Sequence, residues 1–297
     1  MYRRLTWKYG NKIEIRKSHS YGCNRKGEKR NRLDGVELTP EQIEAREEKK
    51  KKLRKHNEYE SEKQLNRNLE ANFTEDDFHL VLTYREGEKP TVEESRKILN
   101  NFFNRARRFY RKHDCEFKYI VVTEWNAKRI HHHIVGNSIP GVNMAKEIMR
   151  LWGHGGAHLT PLYEDKNYKG LAEYLVKETK KTFRDDDNPY KQRYSCSRNL
   201  VRPEPEVKNI PSNTWSKKII VPKDLREEGY YLDRESVRTW EDWEGYKNIE
   251  YKFVKPTDAE LKRERRQRKI SETYIEKYLH SMKICEDKIE KEEEMWN

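Results

Sequence analysis

The chain has 297 residues, 39% charged and only 33% hydrophobic, with 64 Lys and Arg against 52 Asp and Glu for a net charge of +12. With a mean hydropathy of −1.26, a core spread over the whole length is excluded, and one compact domain flanked by charged arms is expected. No apolar run approaches the roughly 18 residues of a membrane span. The start MYRRLTWKYG lacks the apolar stretch of a secretory signal. No membrane partner is therefore expected, while a basic excess suits nucleic acid.

Residues 1–38 are basic and turn-rich and predict no defined element. Thr39-Pro40-Glu41-Gln42 reads as a helix start, with Thr as N-cap, Pro at the first position and Gln at the third. The helix should run to about Asn72, and its sparse apolar positions (Leu53, Leu65, Leu69) predict a solvated or DNA-facing helix. Phe78–Tyr84 reads as a mostly buried strand. Thr91-Val92-Glu93-Glu94 is a capping box opening an amphipathic helix to about Lys112, with Leu99, Phe102, Phe103, Ala106 and Tyr110 at helical spacing.

Two strands follow, Lys118–Glu124 and Arg129–Gly136, joined as a hairpin. Asn143 caps a short helix through Trp152, broken by Gly153 to Gly156. Ala157–Leu162 is a strand and Lys169–Lys181 a helix with Leu171, Ala172, Leu175 and Val176 on one side. This β-α-β-β-α-β-α order predicts an α+β fold, an antiparallel sheet with packed helices. Beyond Asp185 the chain is polar and proline-punctuated; Asn248–Val254 can add a strand, and Thr257 to Glu260 open a charged helix. The expected division is a basic arm with its helix over 1–72, the main domain over 73–200, an extension packing on it over 201–256, and a charged helix over 257–297. Cys23, Cys115, Cys196 and Cys285 form no CxxC pair, which predicts reduced thiols rather than a zinc knuckle or disulfide framework.

Chemistry concentrates in Arg129-Ile130-His131-His132-His133-Ile134-Val135. Strand side chains alternate, so His131 and His133 share a face and His132 takes the other. Two imidazoles at that spacing can hold one divalent ion, and Glu124, at the end of the partner strand, can supply a third ligand. Mn²⁺ or Mg²⁺ is the expected ion, with zinc and nickel also compatible with imidazole. On the later helix, Tyr174 and Lys177 are three apart and project together. A phenol with an ordinary pKa near 10 becomes an effective nucleophile beside an ammonium and a bound cation; Tyr163 and Tyr168 are rival nucleophiles.

The segments FHLVLTY (78–84), TEWNAKRIHHHIV (123–135) and LAEYLVKETKK (171–181), in this order, resemble the three motifs of HUH endonucleases of the rolling-circle replication initiator type. More narrowly they are similar to the replication-associated proteins of phages and mobile elements, as is RYSCSRNL (193–200). The resemblance covers roughly residues 40–240. It implies a ferredoxin-like, RRM-like sheet flanked here by charged helical arms, and metal-dependent nicking and rejoining of single-stranded origin DNA through a 5′-phosphotyrosyl intermediate. His131 and His133 would then be ligands, Glu124 the third ligand, Tyr174 the nucleophile and Lys177 the lysine of a YxxK pattern.

The strand around Thr83 would lie near the DNA without an obvious catalytic group. The middle histidine, His132, departs from the usual apolar residue, and a single tyrosine fits the helix motif. There is no GxxxxGK[ST], so unwinding is expected from a host helicase and extension from a DNA polymerase, in the cytoplasm of a bacterial host. Basic residues Arg105, Arg108, Lys180, Lys181, Arg193 and Arg198 are candidate DNA contacts. Tyr190, Tyr194, Trp125 and Trp152 are candidate stacking platforms. An HUH transposase or relaxase, or a non-enzymatic nucleic-acid-binding module, are the competing readings.

Overall fold

The computed structural model describes residues 1–20, 39–126, 129–162, 168–183, 194–211, 219–242, 245–257, 261–262 and 266; side chains at 125–129 and 178–183 are outside the description. The stretch expected as a C-terminal helix lies almost wholly outside the described residues.

The elements predicted for the middle of the chain form as read. They are β3 (Phe78–Leu82), α2 (Val92–Arg111), β4 (Tyr119–Asn126), β5 (Arg129–Gly136), α3 (Met144–Trp152), β6 (Ala157–Pro161) and α4 (Lys169–Phe183). With β7 (Ser195–Cys196) they make an antiparallel sheet in the order β6-β3-β5-β4-β7. The fold class is α+β, with helices packed on antiparallel sheets, as the element order predicted.

Strand alternation splits this sheet into two chemically different faces. Phe78, Leu80, Leu82, Tyr119, Val121 and Ile134 turn toward α2 and α3, where Phe102, Phe103, Tyr110 and Trp152 complete one core. Ile120, Val122 and Val135 turn the other way, toward Leu171, Leu175 and Val176 of α4. α2 starts on the capping box of Thr91 and Glu94, both reciprocal bonds being present. α3 ends at Gly153 in the left-handed conformation, φ 69°. The next glycines lie against the end of β3: a Cβ on Gly155 would stand 2.3 Å from the Thr83 carbonyl oxygen, so only glycine allows this approach.

The amino-terminal region corrects the sequence reading. Residues expected to be without an element form β1 (Tyr2–Tyr9) and β2 (Lys12–His19), a hairpin turning at Gly10 with φ 52°. With β8 (Glu206–Ile210), β9 (Tyr231–Glu241) and β10 (Lys247–Val254) they build a second antiparallel sheet, in the order β8-β1-β2-β10-β9. One face of it is apolar: Ile13, Ile15, Ile249, Tyr251 and Phe253 pack with Leu225 of α5 (Lys223–Glu227) and Leu232. The basic composition had hidden a period of two in Lys12-Ile13-Glu14-Ile15-Arg16.

α1 (Pro40–Asn72) joins the two sheets. Thr39 caps it with the expected box to Gln42, and residues 40–57 are exposed. Its second half is not solvated. Leu65 and Leu69 have no exposed surface and pack on the α4 face of the first sheet. The other side of the same turns faces the polar side of the second sheet. There Lys63 Nζ stands 2.5 Å from both Glu14 and Glu250, and Arg67 pairs with Glu14 at 2.5 Å. Arg67 also lies 3.9 Å over the Trp7 ring. A helix buried through ion pairs on one side and leucines on the other carries little net apolar signal, so it looked solvated.

Candidate active site

β5 places its three histidines as alternation requires. His132 turns to the α2 face and is fully buried. Its Nδ1 meets Thr123 Oγ1 at 2.9 Å, and its Nε2 meets Tyr84 Oη at 2.9 Å and Ser95 Oγ at 3.2 Å. Burial, with some help from the flanking histidines, pushes its pKa down to about 3. The position that is usually apolar in the resembled family is thus filled by a neutral, hydrogen-bonded imidazole.

His131 and His133 turn to the α4 face beside Glu124, which pairs directly with His131 across the strands. Glu124 Oε2 is 3.7 Å from His131 Nδ1 and 3.7 Å from His133 Nε2. The His131 side chain is 33% exposed and that of Glu124 23%, whereas His133 is buried. Both ring nitrogens of His133 are buried without a hydrogen-bond partner. Burial holds His133 below the ordinary histidine value, with the Glu124 carboxylate opposing.

These donors suit a divalent cation in kind. They are neutral imidazole nitrogens and a carboxylate, and His133 leaves donor atoms unsatisfied at a cost of roughly 1–3 kcal/mol. Ligand bonds of roughly 2.1 Å set two tetrahedral ligands roughly 3.4 Å apart, near the observed 3.7 Å separations. Among the described residues no three His, Cys, Asp or Glu side chains form a ready metal cage. Any such site would be completed by small side-chain adjustments and by solvent or DNA.

Tyr174 comes down from α4 onto this face. Its ring meets His133 edge-on at 5.5 Å between centroids, and it is 42% exposed. Lys177, one turn on, is exposed. Tyr168, a rival nucleophile, is fully buried in the α4 core, and Tyr163 lies outside the described residues.

One residue of this site escaped the sequence reading. His79 of β3 stacks on His133 with centroids 5.6 Å apart and planes 10° from parallel, and meets Tyr174 edge-on at 6.4 Å. Its Nε2 is buried without a hydrogen-bond partner. Burial, then His133 and His158, pushes its pKa down to about 4. The available signal was alternation in FHLVL: with Phe78, Leu80 and Leu82 facing one way, His79 must face the other. Knowing that β3 pairs with β5 rather than with another strand requires the sheet order.

The candidate DNA contacts do not gather here. Arg105 donates to the Leu151 and Trp152 carbonyls at 2.9 and 3.4 Å, finishing α3. Arg108 is exposed on α2, on the opposite side of the sheet from Tyr174. Arg198 is exposed beyond β7. The side chains of Lys180, Lys181 and Arg193, with Trp125 and Tyr190, lie outside the described residues. Trp152 is core rather than platform, 1% exposed with its indole donating to the Thr83 carbonyl at 2.9 Å.

Comparison with known families selects the same part of the chain. Residues 77–183 match the family model for the replication-associated protein ORF2. The resemblance to replication-associated proteins drawn from the motifs therefore stands. The matched segment runs from β3 through α4 and contains His79, Glu124, His131, His133 and Tyr174. The second sheet lies outside it. No curated protein and no solved structure matches the chain. No described helix is long and apolar enough to cross a membrane.

Proposed function

We propose that the protein initiates rolling-circle replication by nicking single-stranded origin DNA with Tyr174 and later rejoining it. The observation that supports this most is the placement of an accessible tyrosine ring against His133, beside His131 and Glu124, within a segment that matches a replication-associated family.

Tyr174 Oη attacks the scissile phosphorus in line, forming an O–P bond as the bond to the 3′ oxygen breaks. The phenolic proton is lost and the departing 3′ oxygen takes up a proton, so the products are a 5′-phosphotyrosyl link and a free 3′-hydroxyl. A divalent ion, Mn²⁺ or Mg²⁺, held by His131, His133 and Glu124 would stabilise the charge that develops on the phosphate. The Lys177 ammonium, on the same side of α4, favours the phenolate. The free hydroxyl can prime a DNA polymerase, with strand separation by a helicase partner. A later 3′-hydroxyl can reverse the attack, since the link conserves the phosphodiester.

The test is incubation of labelled single-stranded oligonucleotides with the protein and Mn²⁺, followed by denaturing gels. A metal-dependent covalent adduct that disappears in Tyr174→Phe is expected. Cleavage surviving in that variant would move the nucleophile elsewhere, and binding without cleavage on every origin-like sequence would leave a binding module. Transposase and relaxase share this chemistry, and support of plasmid replication in cells separates them from an initiator.

A further inference from the structure

At the other end of β4 from Glu124, the last turns of α2 and the residues after β7 enclose an open cleft of about 580 Å³. Three guanidiniums converge on it, Arg107 and Arg111 from α2 and Arg198 from beyond β7. Arg107 is anchored to the floor, donating to Tyr119 Oη at 2.9 Å and lying 5.7 Å over that ring. None of the three forms an ion pair among the described residues. The single carboxylate of the cleft, Glu116, accepts a hydrogen bond from Asn199 at 3.1 Å. Three like charges held in one concavity repel unless an anion joins them, and guanidinium forks match phosphate oxygens in geometry.

The position of the cleft says which phosphates. Tyr119 and Glu124 lie on the same strand, roughly 17 Å apart at 3.4 Å per residue. They face opposite sides, Tyr119 toward α2 and Glu124 toward α4. Between the two sides the sheet ends in β7, only two residues long. A strand leaving Tyr174 can therefore pass round that edge. At the spacing of 3.4 Å per nucleotide in a B-form strand it would reach the cleft after about five nucleotides.

We propose that the Arg107–Arg111–Arg198 cleft is a second DNA site, separate from the nicking centre, that binds the sugar-phosphate backbone of the strand flanking the nick. The proposal rests on the reading that the protein handles single-stranded DNA. The cleft anchors the flanking strand while the phosphodiester is open, and its contribution depends on the length of the DNA rather than on the chemistry at Tyr174.

The cleft carries its own reporters, the free thiols Cys115 and Cys196 in its wall. The experiment is alkylation of full-length Tyr174→Phe protein with iodoacetamide in the presence of single-stranded oligonucleotides of increasing length. Peptide mass spectrometry separates these two thiols from Cys23 and Cys285, and binding is followed in parallel by fluorescence anisotropy. Protection of Cys115 and Cys196 should begin only about five nucleotides above the shortest length that binds. Adding Arg111→Ala and Arg198→Ala should lower affinity for long oligonucleotides about tenfold. It should also reduce the salt slope by about 1.4, two phosphate contacts at about 0.7 each.

Long oligonucleotides that bind while both thiols react at unchanged rates would overturn the proposal and leave the function untouched. So would equal protection by inorganic phosphate alone, which would make this a small-anion site. Failure of every oligonucleotide to bind would remove the functional reading and this site with it.

Discussion

His79 and His132 are both buried histidines of one sheet, and their surroundings give them opposite roles. His132 satisfies both ring nitrogens with Thr123, Tyr84 and Ser95 and belongs to the framework. His79 leaves Nε2 unsatisfied beside Tyr174 and His133, a cost that packing alone would have avoided by using an apolar residue. An exposed tyrosine on a helix surface has several rotamers open to it, and two imidazole edges restrict them. Edge-to-face ring pairs contribute about 0.5–1.5 kcal/mol each, and about 1.4 kcal/mol is a factor of ten in rate. His79→Ala should therefore slow covalent adduct formation about tenfold at saturating DNA, with oligonucleotide affinity unchanged, in single-turnover gels. His79→Phe, which keeps a ring wall, should recover most of the rate. A full rate in His79→Ala would show that Tyr174 is oriented without it.

α1 is the element on which sequence and structure part most. Its exposed first half and its buried second half have similar composition, so local reading could not separate them. Leu65→Ala should cost about 2–5 kcal/mol in urea unfolding, as for other buried leucines. Leu53→Ala, at a site 59% exposed, should stay within about 0.5 kcal/mol. Equal effects would mean that the second half of α1 is not buried.

The polar side of α1 also makes a prediction about acid. Burial alone would raise the Glu14 carboxyl, but the Arg67 hydrogen bond and the nearby Lys63 ammonium override it and hold the group well below its ordinary 4.5. Lys63 is itself held below the ordinary lysine value by burial, so the pair is not favourable for both members. The direction at Glu14 is the firmer one, because two cations contact it at 2.5 Å. A carboxylate depressed in the folded state stabilises above its unfolded value, and that stability fades as pH falls through about 4.5 toward the folded value. Wild-type protein should lose stability below about pH 4.5 in denaturant titrations. Glu14→Gln should lose about 3–5 kcal/mol at neutral pH, having left Lys63 and Arg67 without their shared charge, and show a shallower acid limb.

At the scale of the whole molecule, the segment that matches a known family is not a complete folding unit. The α4 face of its sheet is closed by Leu65, Leu69 and Phe73, which precede residue 77. A fragment of residues 77–183 should therefore unfold without a cooperative transition, whereas full-length protein should show one by circular dichroism. A sharp transition in the fragment would mean that the second sheet and α1 are accessories rather than framework.

The sequence by itself determined the elements of the catalytic sheet, because hydrophobic periodicity and capping boxes act within a few residues of one another. It also determined that His131 and His133 share a face, since strand alternation is a local rule. The order of strands was decided only in three dimensions, and with it the meeting of His79, His133 and Tyr174, which come from three different elements. The same holds for the second sheet, which pairs residues 2–19 with 206–254. Strand pairing across such separations depends on which faces remain to be buried once the local elements exist, and no window of sequence contains that information. The ionic layer between α1 and the second sheet was hidden for a further reason. A charge reads as solvated in a sequence, and only the position of its partner shows whether it is buried.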